Sequence, residues 1–457
     1  MTTRQEQIDA AQSRYRQRTQ APTKPAGRQA AQGEPKKGEA LAYYDSSRGV
    51  YWTKNSGAGW IQFTEGALKR RLRLEKFSDI QEKEIVAIKT DKELLRMQLE
   101  NDVCYAGGIA GYKPGIHEIC GQRILVTEGP RLIAWKPGRW DNIRSLITQL
   151  LGDQANVVYA WLKCALRSLY SGPPFRPGQM LALAGQAGGG KSLFQNLLTE
   201  AFGGRSAKPY RYLIGDTTFN SDLLRAEHLM VEDDASSTDH RSRKSFGTML
   251  KNLIVNETQS LHRKGRDAIM VTPFTRLTIT LNDEPENLMV LPPFEDSLKD
   301  KIILLRAHKA KFPYESDDLA GRHRYRQCLT NELPAFIEFV RSYRIPDRLK
   351  NQRYGVSAYH DPELLKDLRE LSPEWKLLSL IDSLNIWEFG CDDWEGTAAD
   401  LEDKLRSKDK SGMVRDLLSF STACGVFLKA IATSLPTRVS ARRVHGGSRV
   451  WTIKKPV

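Results

Sequence analysis

The chain lacks the features of a disulfide-bonded, zinc-bound or membrane protein. Its six cysteines, Cys104, Cys120, Cys164, Cys328, Cys391 and Cys424, are scattered with no CxxC pair, which argues against both a disulfide framework and a zinc site. No apolar run approaches the roughly 20 residues a membrane helix needs, and the N-terminal stretch has no apolar segment of signal-peptide type. No membrane partner is therefore expected, and the expected location is the cytoplasm, or the host cytoplasm if a mobile element encodes the chain. Residues 1–40 hold hardly any large apolar side chain among Gln, Ala, Arg, Lys, Pro and Gly. Such a segment cannot repay the entropy of folding and reads as a disordered basic arm. The stretch 41–135 contains no carboxylate cluster assignable to nucleotide polymerisation, so nothing there reads as a primase.

What is present is a chain of 457 residues, 40% hydrophobic, long enough to bury a large core in about three domains. Lys and Arg number 69 against 55 Asp and Glu, a formal charge of +14, and that balance favours polyanionic partners such as nucleic acid. Val50–Thr53 and Trp60–Phe63, joined by a glycine-rich turn at 54–59, read as a β-hairpin, followed by a basic helix from Ala67 to Leu74. Short strands follow around Glu118–Cys120 and Arg123–Thr127, completing a small α+β module over 41–135. From Trp140 to Leu169 the apolar spacing is helical and reads as packing. Towards the C-terminus, helix candidates at Thr397–Leu405 and Val426–Ser434 precede strand candidates that flank a turn at His445–Gly447. Helices followed by a basic hairpin describe a winged helix over 346–457, with Arg438, Arg442, Arg443 and Arg449 as its nucleic-acid candidates.

Gly185-Gln186-Ala187-Gly188-Gly189-Gly190-Lys191-Ser192 is a complete GxxxxGKS phosphate loop. It lies between an apolar strand-like run, Met180–Ala184, and a helix-like run from Ser192, which is the context the motif requires. The glycines allow backbone N–H groups to turn towards phosphates, and the helix that follows offers its positive end, with Leu193 in its first turn. Lys191 is suited to reach the β- and γ-phosphates, and Ser192 to offer a hydroxyl to Mg²⁺. ATP and Mg²⁺ are thus the expected cofactors.

Downstream, the apolar run His228–Val231 ends in Glu232-Asp233-Asp234. Carboxylates delivered by a strand end beside a γ-phosphate are suited to hold Mg²⁺, for which Asp233 is the candidate, and to polarise the attacking water, for which Glu232 or Asp233 is. A second strand, Arg276–Leu281, ends at Asn282, whose amide is placed to sense the γ-phosphate and orient water. Between them, Ser260-Leu261-His262-Arg263-Lys264-Gly265-Arg266-Asp267 reads as a hairpin with a cationic tip.

This order of phosphate loop, acidic strand, basic hairpin and strand ending in Asn resembles the superfamily 3 helicases, a branch of the AAA+ ATPases found in small DNA viruses, phages and plasmids. Val231–Ser236 is similar to the acidic motif of the papillomavirus replicative helicase, and Ser260–Lys264 to its DNA-tracking hairpin. The resemblance covers roughly residues 140–345, and Asn331–Phe339 is similar to the helical segment that follows the core in phage and plasmid primase-helicases. It implies an α/β fold, with an AAA+ phosphate-loop ATPase core over 136–345, ATP at subunit interfaces of a ring that is usually hexameric, and single-stranded DNA in the central channel. It makes Lys264 the leading DNA contact of the hairpin, beside His262, Arg263 and Arg266; a Lys ammonium binds phosphate without reading sequence. Two positions depart from the family. Gly265 stands where the viral enzymes often carry His. Lys301, in Asp296–Arg306, stands where the family places its trans-acting arginine finger, and Lys lacks the planar guanidinium fork. The role then falls to Lys301, to Arg306 or to another arginine, or hydrolysis is weak.

The expected function is an ATP-dependent, ring-forming DNA helicase in replication of a phage, plasmid or other mobile element. Its expected partners are single-stranded and duplex DNA, its own copies and other replication proteins. The alternative is an ATP-switched initiator or assembly factor that binds DNA without processive unwinding.

Overall fold

A computed structural model describes residues 40–55, 59–78, 80–232, 240–294, 296–315, 318–443 and 449–456. The expected basic arm, the tip of the first hairpin, Asp233, Asp234 and the turn at His445–Gly447 lie outside the described residues. Residues 42–457 form one compact unit.

That unit begins with a sheet of β1 (Tyr43–Asp45), β2 (Val50–Asn55), β3 (Gly59–Phe63) and β4 (Asp102–Val103), ordered β3-β2-β1-β4. β2 and β3 pair antiparallel from Tyr51↔Phe63 to Asn55↔Gly59, as the alternating apolar residues require. The basic helix runs Glu65–Glu75, started by Thr64, whose side chain accepts from the Ala67 N–H. A second helix, Lys83–Glu100, was not legible in advance: Leu94 and Met97 are buried against Tyr51, Leu68 and Leu72, while Ile88, Leu95 and Leu99 are exposed. Apolar residues on two faces hide the stripe that a sequence reading depends on. β5 (Tyr105–Gly107), β6 (Gly115–Ile119) and β7 (Gln122–Val126) form a second sheet, ordered β5-β7-β6.

The core of the molecule is a five-stranded parallel sheet of β8 (Met180–Gly185), β9 (Ser206–Ala207), β10 (His228–Val231), β13 (Arg276–Leu281) and β14 (Ile302–Ala307). Its order is β14-β8-β13-β10-β9. Every residue of β8, β10 and β13 is buried, the near-continuous apolar pattern of a parallel sheet covered on both faces. Alternation sorts the side chains. Leu181, Leu183, Ile303 and Leu305 face a layer that includes the helices Asp141–Leu151, Ala155–Ser171 and Lys191–Ala201. Met180, Ala182, Ala184, Ile302 and Leu304 face Phe246 and Leu250 of the helix His240–Val255 and Leu364 and Leu368 of the helix Pro362–Glu370.

The short hairpin β11 (Gln259–Leu261) and β12 (Ile269–Val271) leaves the core and packs Leu261, Ile269 and Val271 against Tyr105, Ile124 and Val126. The expected boundary at 135 is thus bridged by a shared apolar cluster. Among the described residues, the C-terminal part holds the helices Pro373–Ser383, Ala398–Lys408, Met413–Leu417 and Ala423–Ser434, and an antiparallel sheet of β15 (Asp393–Gly396), β16 (Val439–Arg443) and β17 (Arg449–Lys454), ordered β15-β17-β16. It has its own core around Trp394, Leu401, Phe427, Leu428 and Trp451. Thr397 and Asp400 close a reciprocal cap on the helix Ala398–Lys408, a signal legible in the sequence.

Candidate active site

The phosphate loop leaves the C-terminal edge of β8 with Gln186, Ala187 and Gly188 exposed and Gly185 and Gly189 buried. Two glycines are required by geometry. Gly190, the residue before the helix Lys191–Ala201, has φ +105°, and a Cβ on Gly185 would stand 1.9 Å from the Ala307 carbonyl oxygen of β14. Ser192 is exposed in the first turn of that helix and Leu193 is half-buried. The turn therefore presents N–H groups, a helix N-terminus and a hydroxyl on one open side.

β13 lies directly beside β8, with Leu281 opposite Ala184, so Asn282 reaches the phosphate loop. Lys191 Nζ donates to the Gly185 carbonyl at 2.5 Å, to the Gln186 carbonyl at 2.9 Å and to Asn282 Oδ1 at 3.1 Å. Two residues predicted 91 positions apart as phosphate lysine and sensor amide are thus in contact. Glu232 follows β10, one strand further out; it is partly exposed and pairs with Lys208 at 2.7 Å. Its carboxylate and the Ser192 hydroxyl are hard oxygen donors on the same edge, the donor type that suits Mg²⁺.

The two finger candidates separate along β14. Arg306 lies opposite Ala184, on the phosphate-loop edge. Its guanidinium is ringed by Asp361 at 3.4 Å, Glu363 at 3.5 Å, and Asp283 and Asp367 at 3.7 Å. Lys301 precedes β14, five residues away, which is roughly 16 Å of strand. It is buried at the opposite edge of the sheet, with Nζ on Asp300 Oδ1 at 2.6 Å.

At the hairpin tip, His262, Lys264 and Arg266 are exposed and Arg263 is half-buried. Arg263 lies over the Tyr105 ring at 4.9 Å and donates to Ser47 Oγ at 3.4 Å, and Arg266 donates to the Ser47 carbonyl. Asn220 clips the near strand, accepting from the His262 N–H at 2.8 Å and donating to the Ser260 carbonyl at 2.8 Å. In the C-terminal sheet, Arg442 is paired with Glu395 at 3.0 Å and Arg438 with Asp382, whereas Arg443 is exposed at the end of β16.

The sequence reading missed the buried polar network behind the site. Gln195 Nε2 donates to the Val231 carbonyl at 3.2 Å and to Thr278 Oγ1 at 2.9 Å, and Thr280 Oγ1 donates to Gln195 Oε1 at 3.2 Å. His228 sits between Thr199 Oγ1 at 2.7 Å and Thr278 Oγ1 at 2.9 Å, and complete burial pushes its pKa down to about 3. Polar residues at inward positions of the Lys191–Ala201 helix and of β13 were the available signal.

Comparison with known proteins agrees with this architecture. A family of unknown function, DUF5906, matches residues 183–297, from the end of β8 past the hairpin and Asn282. No curated protein matches the chain. Two apo structures of the NrS-1 C-terminal region superpose over 91% of this chain and 96% of theirs. One has TM-score 0.53 at 13% identity, the other 0.52 at 15%. The chain shares their fold. A structure titled "SCCmec type IV Cch - active helicase" also matches over 91% of this chain and 92% of its own, with TM-score 0.38 at 10% identity. The described part of the chain is therefore a mixed α/β protein built on a parallel sheet, and no described helix is long and apolar enough to cross a membrane.

Proposed function

We propose that the chain is an ATP-dependent DNA helicase of the superfamily 3, AAA+ type, assembling as a ring of about six copies and acting in replication of a phage, plasmid or other mobile element. The observation that carries this reading is the contact of Lys191 Nζ with Asn282 Oδ1 at 3.1 Å on the edge where Glu232 also emerges. A lysine held by two loop carbonyls and a strand-end amide is preorganised for a triphosphate, which would take over those donors. In this reading the loop N–H groups and Lys191 bind the phosphates, Asn282 orients the attacking water, and Glu232 accepts its proton. Ser192 and Asp233 would hold Mg²⁺, which when bound neutralises developing phosphate charge. Lys264, exposed at the hairpin tip, tracks the DNA backbone, with His262 beside it. The order of the C-terminal part, a helix, β15, three helices and the paired strands β16 and β17, supports a winged helix that carries Arg443 towards duplex DNA or a replication partner.

A second reading, an ATP-switched DNA-binding initiator, draws support from the docking of Arg263 and Arg266 on Ser47 and from the burial of Lys301. Strand displacement on forked DNA separates the two. A helicase releases the strand in an ATP-dependent manner; a switch hydrolyses ATP or changes its assembly without release. ATP turnover with and without single-stranded DNA tests what both share. Lys191→Ala and Asn282→Ala should each lower turnover on the order of 100-fold or more. DNA should stimulate the parent, and Lys264→Ala should weaken that stimulation. Absence of stimulation together with an unaffected Lys264→Ala variant would overturn the proposal.

A further inference from the structure

The segment that leaves β14, His308–Tyr314, is fastened to the nucleotide side of the molecule in a way the proposed reaction does not explain. The Ala310 N–H donates to the Gly189 carbonyl at 3.1 Å, the His308 N–H to the Leu150 carbonyl at 2.8 Å and the Lys311 N–H to Gln149 Oε1 at 2.8 Å. The strap is thus tied to the phosphate loop on one side and to the helix Asp141–Leu151 on the other. It brings an aromatic ring to the loop itself: a Cβ built on Gly190 would lie 2.9 Å from Phe312 Cζ. Phe312 and Tyr314 stack with ring centres 5.3 Å apart and planes 18° apart, and both are half-buried. Leu193, in the first turn after the loop, belongs to the same apolar cluster. His308, Lys309 and Lys311 stand exposed around them.

We propose that this strap is the base-and-ribose wall of the nucleotide site, with Phe312 and Tyr314 as a stacking platform for the base of a purine nucleoside triphosphate. The inference rests on reading Gly185–Ser192 as a triphosphate loop. A nucleotide whose phosphates occupy that loop must send its sugar and base out past the first turn of the following helix, and Phe312 stands against Gly190 at the start of that turn. Aromatic side chains bind a base through its face, so the platform gains from the larger purine surface and discriminates little between adenine and guanine. The exposed Lys309 and Lys311 add positive charge to the strap, which favours an anionic ligand.

The test is calorimetric binding of ATP, GTP, CTP and inorganic tripolyphosphate to the full chain and to Phe312→Leu, Tyr314→Leu and Lys191→Ala. Leucine keeps apolar volume in the cluster, and melting without ligand checks that each variant is folded. Phe312→Leu and Tyr314→Leu should weaken ATP and GTP binding about tenfold to a hundredfold. They should weaken CTP less and leave tripolyphosphate unchanged, whereas Lys191→Ala should weaken all four ligands. Unchanged ATP affinity in both leucine variants, or equal loss of ATP and tripolyphosphate, overturns the platform while leaving the triphosphate loop standing. Unchanged binding of every ligand by Lys191→Ala overturns the loop reading itself.

Discussion

Gln195 stands one helical turn beyond Lys191, and its side-chain amide is spent entirely inside the protein, on Val231, Thr278 and Thr280. Val231 is the residue before Glu232, and Thr280 lies two residues before Asn282. One amide therefore ties the phosphate-loop helix to the strand ends that carry the acid and the sensor. Gln195→Leu takes from Thr280 Oγ1 its acceptor and from Thr278 Oγ1 one of its two partners, a cost of about 1–3 kcal/mol. It should lower kcat for ATP more than it raises KM, since the phosphates still find their loop; steady-state kinetics with an unchanged kcat would remove the positioning role. His228 makes a pH prediction at the same scale. Its folded pKa is held at about 3, far below the value of about 6.5 for a free imidazole. The unfolded chain takes up a proton in that window and the folded chain does not, so stability falls as pH drops from about 6.5 towards 3, at up to about 1.4 kcal/mol per pH unit. In urea unfolding at a series of pH values, His228→Gln should show a shallower acid limb than the parent. Parallel limbs would mean that His228 does not set the slope.

At the scale of elements, the hairpin and β14 each join parts far apart in sequence. Lys264 points into solvent while Arg263 and Arg266 hold the tip against Ser47. Lys264→Ala should therefore reduce the slope of log affinity for single-stranded DNA against log salt by about 0.7, the share of one phosphate contact. Arg263→Ala should leave that slope nearly intact and instead lower the melting temperature; the reverse pattern in salt titrations would exchange their roles. β14 delivers Arg306 into four carboxylates, three of them, Asp361, Glu363 and Asp367, at the start of or within the helix Pro362–Glu370. Arg306→Gln should leave that acidity uncompensated beside the phosphate loop and raise KM for ATP several-fold, an effect that shrinks as salt is added. A KM independent of both substitution and salt would separate this cluster from the nucleotide. These elements also mark what the sequence could carry. The loop, the strand bearing Glu232, the hairpin and Asn282 are local patterns, periodicity followed by a functional tip, and were legible as such. The docking of the hairpin was not, because Arg263 and Ser47 are 216 residues apart. The shared core of β5–β7 with the hairpin was hidden for the same reason, since Tyr105 and Ile124 meet Leu261 and Val271 from more than 130 residues away; Glu227, fully buried, likewise accepts from the distant Gly111 N–H at 2.7 Å and pairs with Arg205. β15 escaped notice because Asp393, Trp394, Glu395 and Gly396 hold one apolar residue in four.

For the whole molecule, the decisive question is whether one chain completes a site or two do. Lys191, Asn282, Glu232 and Arg306 gather on one edge of the sheet, and Lys301 lies at the other, roughly 16 Å along β14. In a ring of identical, head-to-tail subunits, two different patches of each subunit meet, so Lys301, distant from its own phosphate loop, is a candidate to serve a neighbour's. Its present burial against Asp300 means that serving a neighbour requires that pair to open. Mixing tests this without knowledge of the ring's size. If Lys301 acts across the interface, Lys191→Ala and Lys301→Ala are each inactive alone, yet an equal mixture regains turnover. About one interface in four then pairs an intact loop with an intact lysine. If Lys301 only packs its own chain, Lys301→Ala keeps its turnover per folded protein, or loses it together with its melting transition, and mixing restores nothing. Recovery on mixing would make the site a shared one and fix the direction in which subunits follow one another. Turnover by folded Lys301→Ala alone would return the role to an arginine.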